Sequence, residues 1–445
     1  MTLAVKIDRL TAELDHLASI TDAATCVNLS LPQPQRALTR IVFTPRDLEA
    51  RQWFKQRATD AGFAIREDAV GNTFVRWEGT EPGLPAIGTG SHTDAIPFAG
   101  MYDGTVGVLG GLEALRALKQ SGFQPRRSLE LILFTSEEPT RFGIGCLGSR
   151  LMGGVLDPAV ADALPDRLHE TDPTAAAGGT LRTVREAAGF RGPLESVRLQ
   201  PGHYAGWVEL HIEQGPLLER NGEDLGIVTD IAGPASYRFT VEGVGGHAGA
   251  LLMPDRRDAL CAAAELVLAI EREALAQNAQ DAGKDLVATV GKLDVYPGAV
   301  NAVPSRVMFT VDIRDIRAER REAVMNRVRE QVQAVAERRG VRITEELINA
   351  DLPTTCNGEI VSAAMAVADA LGANTRPMVS RAYHDTSFMA RVAPVAMIFI
   401  PCRDGVSHRP DEYATPDAIL LGVRVLAETL AQLSGATSVT PLRVD

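Results

Sequence analysis

Apolar positions switch period repeatedly along the first half of the chain. Residues 46–62 carry them at helical spacing, residues 64–77 read as a hairpin around Gly71-Asn72, and residues 85–89 form a short buried strand. A helix over 104–119 follows, then a strand over 129–135 with the run Leu131-Ile132-Leu133-Phe134. Residues 206–211 and 395–400 read as further strands, and 359–371 and 416–433 as helices. Strands alternating with helices predict an α/β fold, with a mostly parallel sheet covered on both faces. Residues 1–17 alternate charge and apolar side chains as an amphipathic helix does. The stretch 157–201, rich in Ala, Gly and Pro, reads as a surface excursion with a short helix near 181–188.

Between residues 235 and 350 the order changes. A strand (236–242), a helix (257–274), two strands (287–295 and 306–313), a helix (318–339) and a strand (341–348) follow one another. This β-α-β-β-α-β order is a ferredoxin-like unit. The strand 395–400 returns to the first sheet, so the unit is an insertion. The expected domains are residues 1–233 with 352–445, and the inserted 234–351.

At 445 residues the chain exceeds one compact core, in keeping with two domains. A net charge of −12 argues against a nucleic-acid partner, which needs a basic face. No segment approaches the roughly 20 apolar residues of a membrane span, and the N-terminal pattern lacks a secretory apolar core. Five cysteines (Cys26, Cys146, Cys261, Cys356, Cys402) are scattered without a CxxC pair. They read as free thiols in a reducing compartment, so a cytoplasmic location is expected.

The chemistry-bearing residues cluster where strands give way to loops. His92 and Asp94 follow one strand and Glu137-Glu138 the next; His211 ends a third and His408 follows a fourth, with Asp103 in Tyr102-Asp103-Gly104. Parallel sheets collect functional residues beyond the carboxyl ends of their strands. Imidazoles mixed with carboxylates suit zinc, manganese or cobalt better than magnesium or calcium. Two such metals can activate water and polarise a carbonyl together. Asp94, two residues from His92 in extended chain, is placed to hold the other imidazole nitrogen. Glu137 and Glu138 point opposite ways, so one can bind metal while the other faces the reacting carbonyl as a base. The glycines before His247 lack the lysine and spacing of a phosphate loop.

The chain resembles the carbamoyl-amidohydrolase branch of the dinuclear-metal aminoacylase and carboxypeptidase superfamily. That branch holds N-carbamoyl-L-amino acid hydrolases, allantoate amidohydrolases and ureidoglycolate amidohydrolases. The resemblance rests on Gly90-Ser91-His92-Thr93-Asp94, Tyr102-Asp103-Gly104, Glu209-Leu210-His211-Ile212-Glu213-Gln214-Gly215-Pro216, Gly246-His247-Ala248-Gly249 and Pro297-Gly298-Ala299-Val300-Asn301. It implies that His92 and His211 go to different metals, that Asp103 bridges them, and that Glu138 and His408 complete the two shells. Two divalent ions per subunit, Mn²⁺ or Zn²⁺, are expected, with Glu137 as general base. Gln214, Asn301, Arg314, Tyr383 and His384 become the substrate set, and His247 an oxyanion donor. The inserted domain becomes a lid and dimerisation domain of a homodimer. Two departures, Ser380-Arg381-Ala382-Tyr383-His384-Asp385 and Ala248-Gly249-Ala250-Leu251-Leu252-Met253-Pro254, look most like ureidoglycolate amidohydrolases. The substrate expected is therefore a small ureido acid, with N-carbamoyl amino acids or allantoate as alternatives. A dipeptidase-like aminoacylase is disfavoured by the motif from His211 to Pro216. A non-catalytic binding homologue would have lost ligands, and every ligand is present.

Overall fold

The computed structural model describes residues 3–23, 30, 32–172, 174–280 and 285–435. The chain forms two compact units. The first takes in the chain up to Thr229, Cys356–Met378 and the chain from His384 onward; the second comprises Asp230–Thr355 and Val379–Tyr383.

Four parallel strands make the centre of the first unit, in the spatial order Val395–Ile400, Tyr204–Ile212, Ala86–Ser91, Leu129–Leu133. They are almost wholly buried, which is why they read as continuous apolar runs rather than alternating ones. The flanking strands are antiparallel. Thr73–Trp77 pairs with Leu129–Leu133, and Ala64–Glu67 pairs with Thr73–Trp77 in register Ile65↔Val75. Their hairpin turns at Gly71, whose φ of 94° few side chains tolerate, and Asp68 accepts from the N–H groups of Val70 and Asn72. Leu225–Ile231 runs antiparallel to Val395–Ile400, a pairing that periodicity does not reveal.

Helices fall close to their expected positions, at Ile7–Ser19, Pro45–Asp60, Thr105–Gln120, Gly358–Ala370 and Pro416–Leu433. Thr105–Gln120 lies so close to the sheet that a methyl group on Gly107 would meet the Leu210 carbonyl at 2.4 Å. The excursion 157–201 is better ordered than its composition suggests. It holds the short helices Pro158–Asp162, Leu168–Thr171 and Leu181–Ala187, tied by Asp162 to Arg182 and Arg185. Cys146, Cys261, Cys356 and Cys402 are free thiols; Cys26 lies outside the described residues.

The second unit runs Gly233–Glu242, Ala259–Gln280, Val287–Tyr296, Arg306–Asp315, Ala318–Arg339, Arg342–Ala350. Its main sheet has four antiparallel strands in the order 287–296, 306–315, 233–242, 342–350. Alternation in Arg306–Asp315 buries Val307, Phe309, Val311 and Ile313. Phe309 stacks on Phe239, with ring centroids 5.1 Å apart, and Leu266, Ile270, Val324 and Val328 from the two helices complete this core. Burying each such side chain contributes about 1.5–3 kcal/mol, so the unit has its own stabilising centre. Among the described residues no helix is long and apolar enough to cross a membrane.

Candidate metal centre

Three imidazoles converge on one carboxylate beyond the carboxyl ends of the parallel strands. Asp103 Oδ1 lies 3.5 Å from His92 Nε2 and 3.3 Å from His211 Nε2, and its Oδ2 lies 3.4 Å from His408 Nε2. His408 Nε2 is also 3.2 Å from Glu138 Oε1. Glu137 stands at the edge of the group, with Oε2 3.7 Å from His92 Nε2. Ligand-capable atoms of His92, Asp103 and His211 lie within 4.8 Å of one another. All are buried except His408, which is 44% exposed and marks the open side.

Ring orientation is set by the backbone. His92 Nδ1 lies 3.0 Å from the Asp94 carbonyl and His211 Nδ1 2.9 Å from the Ile212 carbonyl, so each Nδ1 carries the proton. In each ring Nε2 is then the atom on the Asp103 side, the nitrogen a metal would take. The expected partner of His92, the Asp94 carboxylate, is corrected here. It lies 3.9 Å from Nδ1 and accepts instead from the N–H groups of Glu137 and Glu138. The extended segment turns its carbonyl, rather than its side chain, toward the ring. Burial pushes the Asp94 carboxyl up to about 6.

Several supports were not visible in the sequence. Glu412 Oε1 accepts from the N–H groups of Tyr102 and Asp103, and its Oε2 accepts from Ser407 Oγ at 2.9 Å. Ser407 Oγ also lies 2.5 Å from Asp103 Oδ2. Glu209, buried below His211, accepts from Ser91 Oγ at 2.8 Å and from Thr386 Oγ1 at 2.5 Å. Ser136, Gln214 and His408 take positive φ of 56°, 54° and 59°. Each costs about 1–3 kcal/mol, and such strain gathers at functional sites.

Asp94, Asp103, Glu137, Glu138 and Glu412 are five buried carboxylates around three imidazoles. Burial, outweighed by the three imidazoles, leaves Asp103 well below the usual carboxylate range, whereas burial and neighbouring acids hold Glu137 well above it. Hydrogen bonds that the His408 ring donates to Asp103 and Glu138 push it up to about 11. Concentrated buried negative charge is costly unless compensated, and N/O donors in this number suit divalent cations. Gln214 donates to Asp103 Oδ2 at 2.6 Å, and its buried side-chain oxygen finds no partner among the described residues. The donor set fits a metal.

Of the other expected residues, His384 is buried with its ring 4.6 Å from that of His211. His247, Asn301, Arg314 and Tyr383 belong to the second unit. There the strand Gly246–His247 pairs with Ala302–Val303, Ala248 N–H donates to the Asn301 carbonyl, and the His247 ring is exposed. The Arg314 fork is turned toward Asp312 (Nε to Oδ1 2.6 Å) and its guanidinium lies 5.6 Å from the Tyr383 ring centroid.

A metal-ligating cluster at the carboxyl edge of a parallel sheet defines a metallohydrolase, and the chain belongs to the peptidase family M20/M25/M40, whose model matches residues 88–432. It is 47% identical to ureidoglycolate hydrolase of Oryza sativa subsp. japonica, over 97% of this chain and 85% of that one. With the ureidoglycolate hydrolase of Arabidopsis thaliana the identity is 46%, over 97% and 88%. The crystal structures of AtUAH in complex with glyoxylate and with (S)-hydroxyglycine match at a TM-score of 0.83 and 45% identity, covering 97% of this chain and 98% of that one.

Proposed function

We propose that the protein is a metal-dependent amidohydrolase that cleaves the ureido C–N bond of ureidoglycolate. The convergence of three Nε2 atoms on Asp103, with the Glu137 carboxylate alongside, carries this reading. Relatives named ureidoglycolate hydrolase at 46–47% identity support the substrate. His92, Asp103, Glu138, His211 and His408 would hold two divalent ions, Mn²⁺ or Zn²⁺, which supply carbonyl polarisation and an acidified water.

Glu137 takes the proton of the attacking water as it adds to the carbamoyl carbon, and returns it to the departing nitrogen. The raised proton affinity of a buried carboxylate suits that exchange. Ammonia leaves first, the carbamate then loses CO₂, and the remaining hydroxyglycine collapses to glyoxylate and a second ammonia. Arg314, exchanging Asp312 for the substrate, grips the carboxylate with Asn301 and Tyr383. Gln214 and His384 orient the ureido group, and His247 donates to the developing oxyanion. Arg342–Ala350 is an edge strand with Leu347 and Ile348 exposed, which suits an isologous pairing with a second copy, so a homodimer is proposed. Free thiols at Cys146, Cys261, Cys356 and Cys402 suit a reducing cytoplasm, the location proposed.

The test is ammonia release from ureidoglycolate, allantoate, ureidoglycine, N-carbamoyl amino acids and 3-ureidopropionate, with Mn²⁺ or Zn²⁺ restored. Ureidoglycolate is expected to lead in kcat/KM. A higher value for allantoate or an N-carbamoyl amino acid would move the protein to that branch.

A further inference from the structure

One buried nucleophile borders the metal centre without a place in the chemistry above. Cys146 is 0% exposed and begins the helix Leu147–Met152 with a left-handed φ of 54°. Its N–H donates to the Glu137 carbonyl at 2.7 Å, and the N–H groups of Leu147 and Gly148 donate to the carbonyls of Ser136 and Thr135 at 2.9 Å. Residues 146–148 thus run as a backbone splint along the segment that carries Glu137. The splint is anchored in turn, since Ser149 Oγ lies 3.1 Å from the Cys146 carbonyl and 2.5 Å from Asp385 Oδ1.

The side chain follows the same direction. Cys146 Sγ lies 3.4 Å from Glu137 Oε1, within the range of a thiol hydrogen bond, while Glu137 Oε2 faces His92 Nε2. Burial, with Glu137 alongside, holds the thiol well above its ordinary range, so it remains S–H and can only donate to a carboxylate. A free carboxylate rotates about its last torsion with little preference. A donor on one oxygen selects which oxygen is presented to the metal side.

We propose that Cys146 is a positioning residue for the general base: its Sγ–H pins Glu137 Oε1 and leaves Oε2 turned toward the metal ligands. The inference rests on the reading of Glu137 as the base. A cysteine kept only for packing would make different demands, since valine would then serve as well and serine worse.

The experiment compares Cys146→Ala, Cys146→Val and Cys146→Ser in the full chain with metal restored, measuring kcat, KM for ureidoglycolate, bound metal and Tm. Alanine and valine remove the donor and are expected to lower kcat about 10-fold, with KM within about twofold and metal content unchanged. Serine restores a donor and is expected to recover kcat to within about threefold of the wild-type protein. Unchanged kcat in alanine and valine overturns the proposal. So does a serine variant as slow as alanine at equal Tm, or a loss of metal that accounts for the slower rate. If alanine lowers Tm, the E137Q/C146A pair decides. A cysteine acting through Glu137 adds no further loss of rate in the E137Q background, and an independent loss of the same size as in the wild-type background sinks the idea. Near-normal activity of E137Q alone would instead overturn the base assignment, and this inference with it, whatever the cysteine series shows.

Discussion

Glu137 and Asp103 stand 34 positions apart in the chain and do different work, which substitution separates. Glu137→Gln keeps the shape of the side chain and removes none of the proposed ligands. It is expected to retain metal while losing kcat by about 10²–10⁴-fold, as removal of an acid–base group does. Asp103→Ala removes the carboxylate shared by three imidazoles and is expected to lose metal itself, read by metal analysis of the purified protein. For Arg314→Lys, the charge stays but the planar fork goes, so KM for ureidoglycolate is expected to rise about 10-fold or more with bound metal unchanged. Unaltered KM would mean that Arg314 serves the packing of its own unit rather than the substrate. The residues that the fold gathers around Asp103 could be picked out in the sequence because His, Asp and paired Glu after apolar strands are an uncommon combination. Glu412 and Cys146 were not. An acid in Asp411-Glu412-Tyr413 has the composition of a solvated loop, and a single cysteine gives no sign of what its thiol faces. Their roles exist only through contacts hundreds of residues away or through one left-handed turn.

Helix and strand periods carried most of the element positions, since amphipathic helices and fully buried strands leave distinct traces in sequence. In the first unit, strand direction left a trace only where a tight turn marks the hairpin over 64–77. Leu225–Val228 is buried like the parallel strands, yet Leu225–Ile231 runs against Val395–Ile400, because a buried strand segment looks the same in either sense. The contact between Thr105–Gln120 and the sheet offers a test at this scale. Gly107→Ala would drive a methyl into the Leu210 carbonyl and the Ser91 side chain, at 2.4 Å and 2.7 Å. Overpacking of this kind costs about 1–3 kcal/mol, and the helix follows directly on Asp103 and Gly104. Lower Tm together with weaker metal retention is expected. A variant that melts with the wild-type protein would show that the helix can slide away from its strand.

The division of the chain into two units makes the response to metal uneven. The proposed ligands all lie in the first unit, whereas the second has its own apolar core. Chelation is therefore expected to abolish ammonia release, to be reversed by Mn²⁺ or Zn²⁺, and to lower Tm in proportion to occupancy. A Tm indifferent to chelator would place the metal outside the folded framework. The order of synthesis adds a further constraint. Tyr204–Ile212 leaves the ribosome paired only with Ala86–Ser91, and its second neighbour, Val395–Ile400, is still roughly 180 residues away. At ~5–20 residues per second the delay is on the order of 10–40 s, during which an apolar parallel edge stands open. The antiparallel unit encoded in between can complete its own core while its host waits. Premature termination after the inserted unit but before Val395–Ile400 would thus yield a chain with one finished unit, one sticky half-sheet and no complete metal site. Yield of active enzyme should accordingly depend on what shields that edge in the interval.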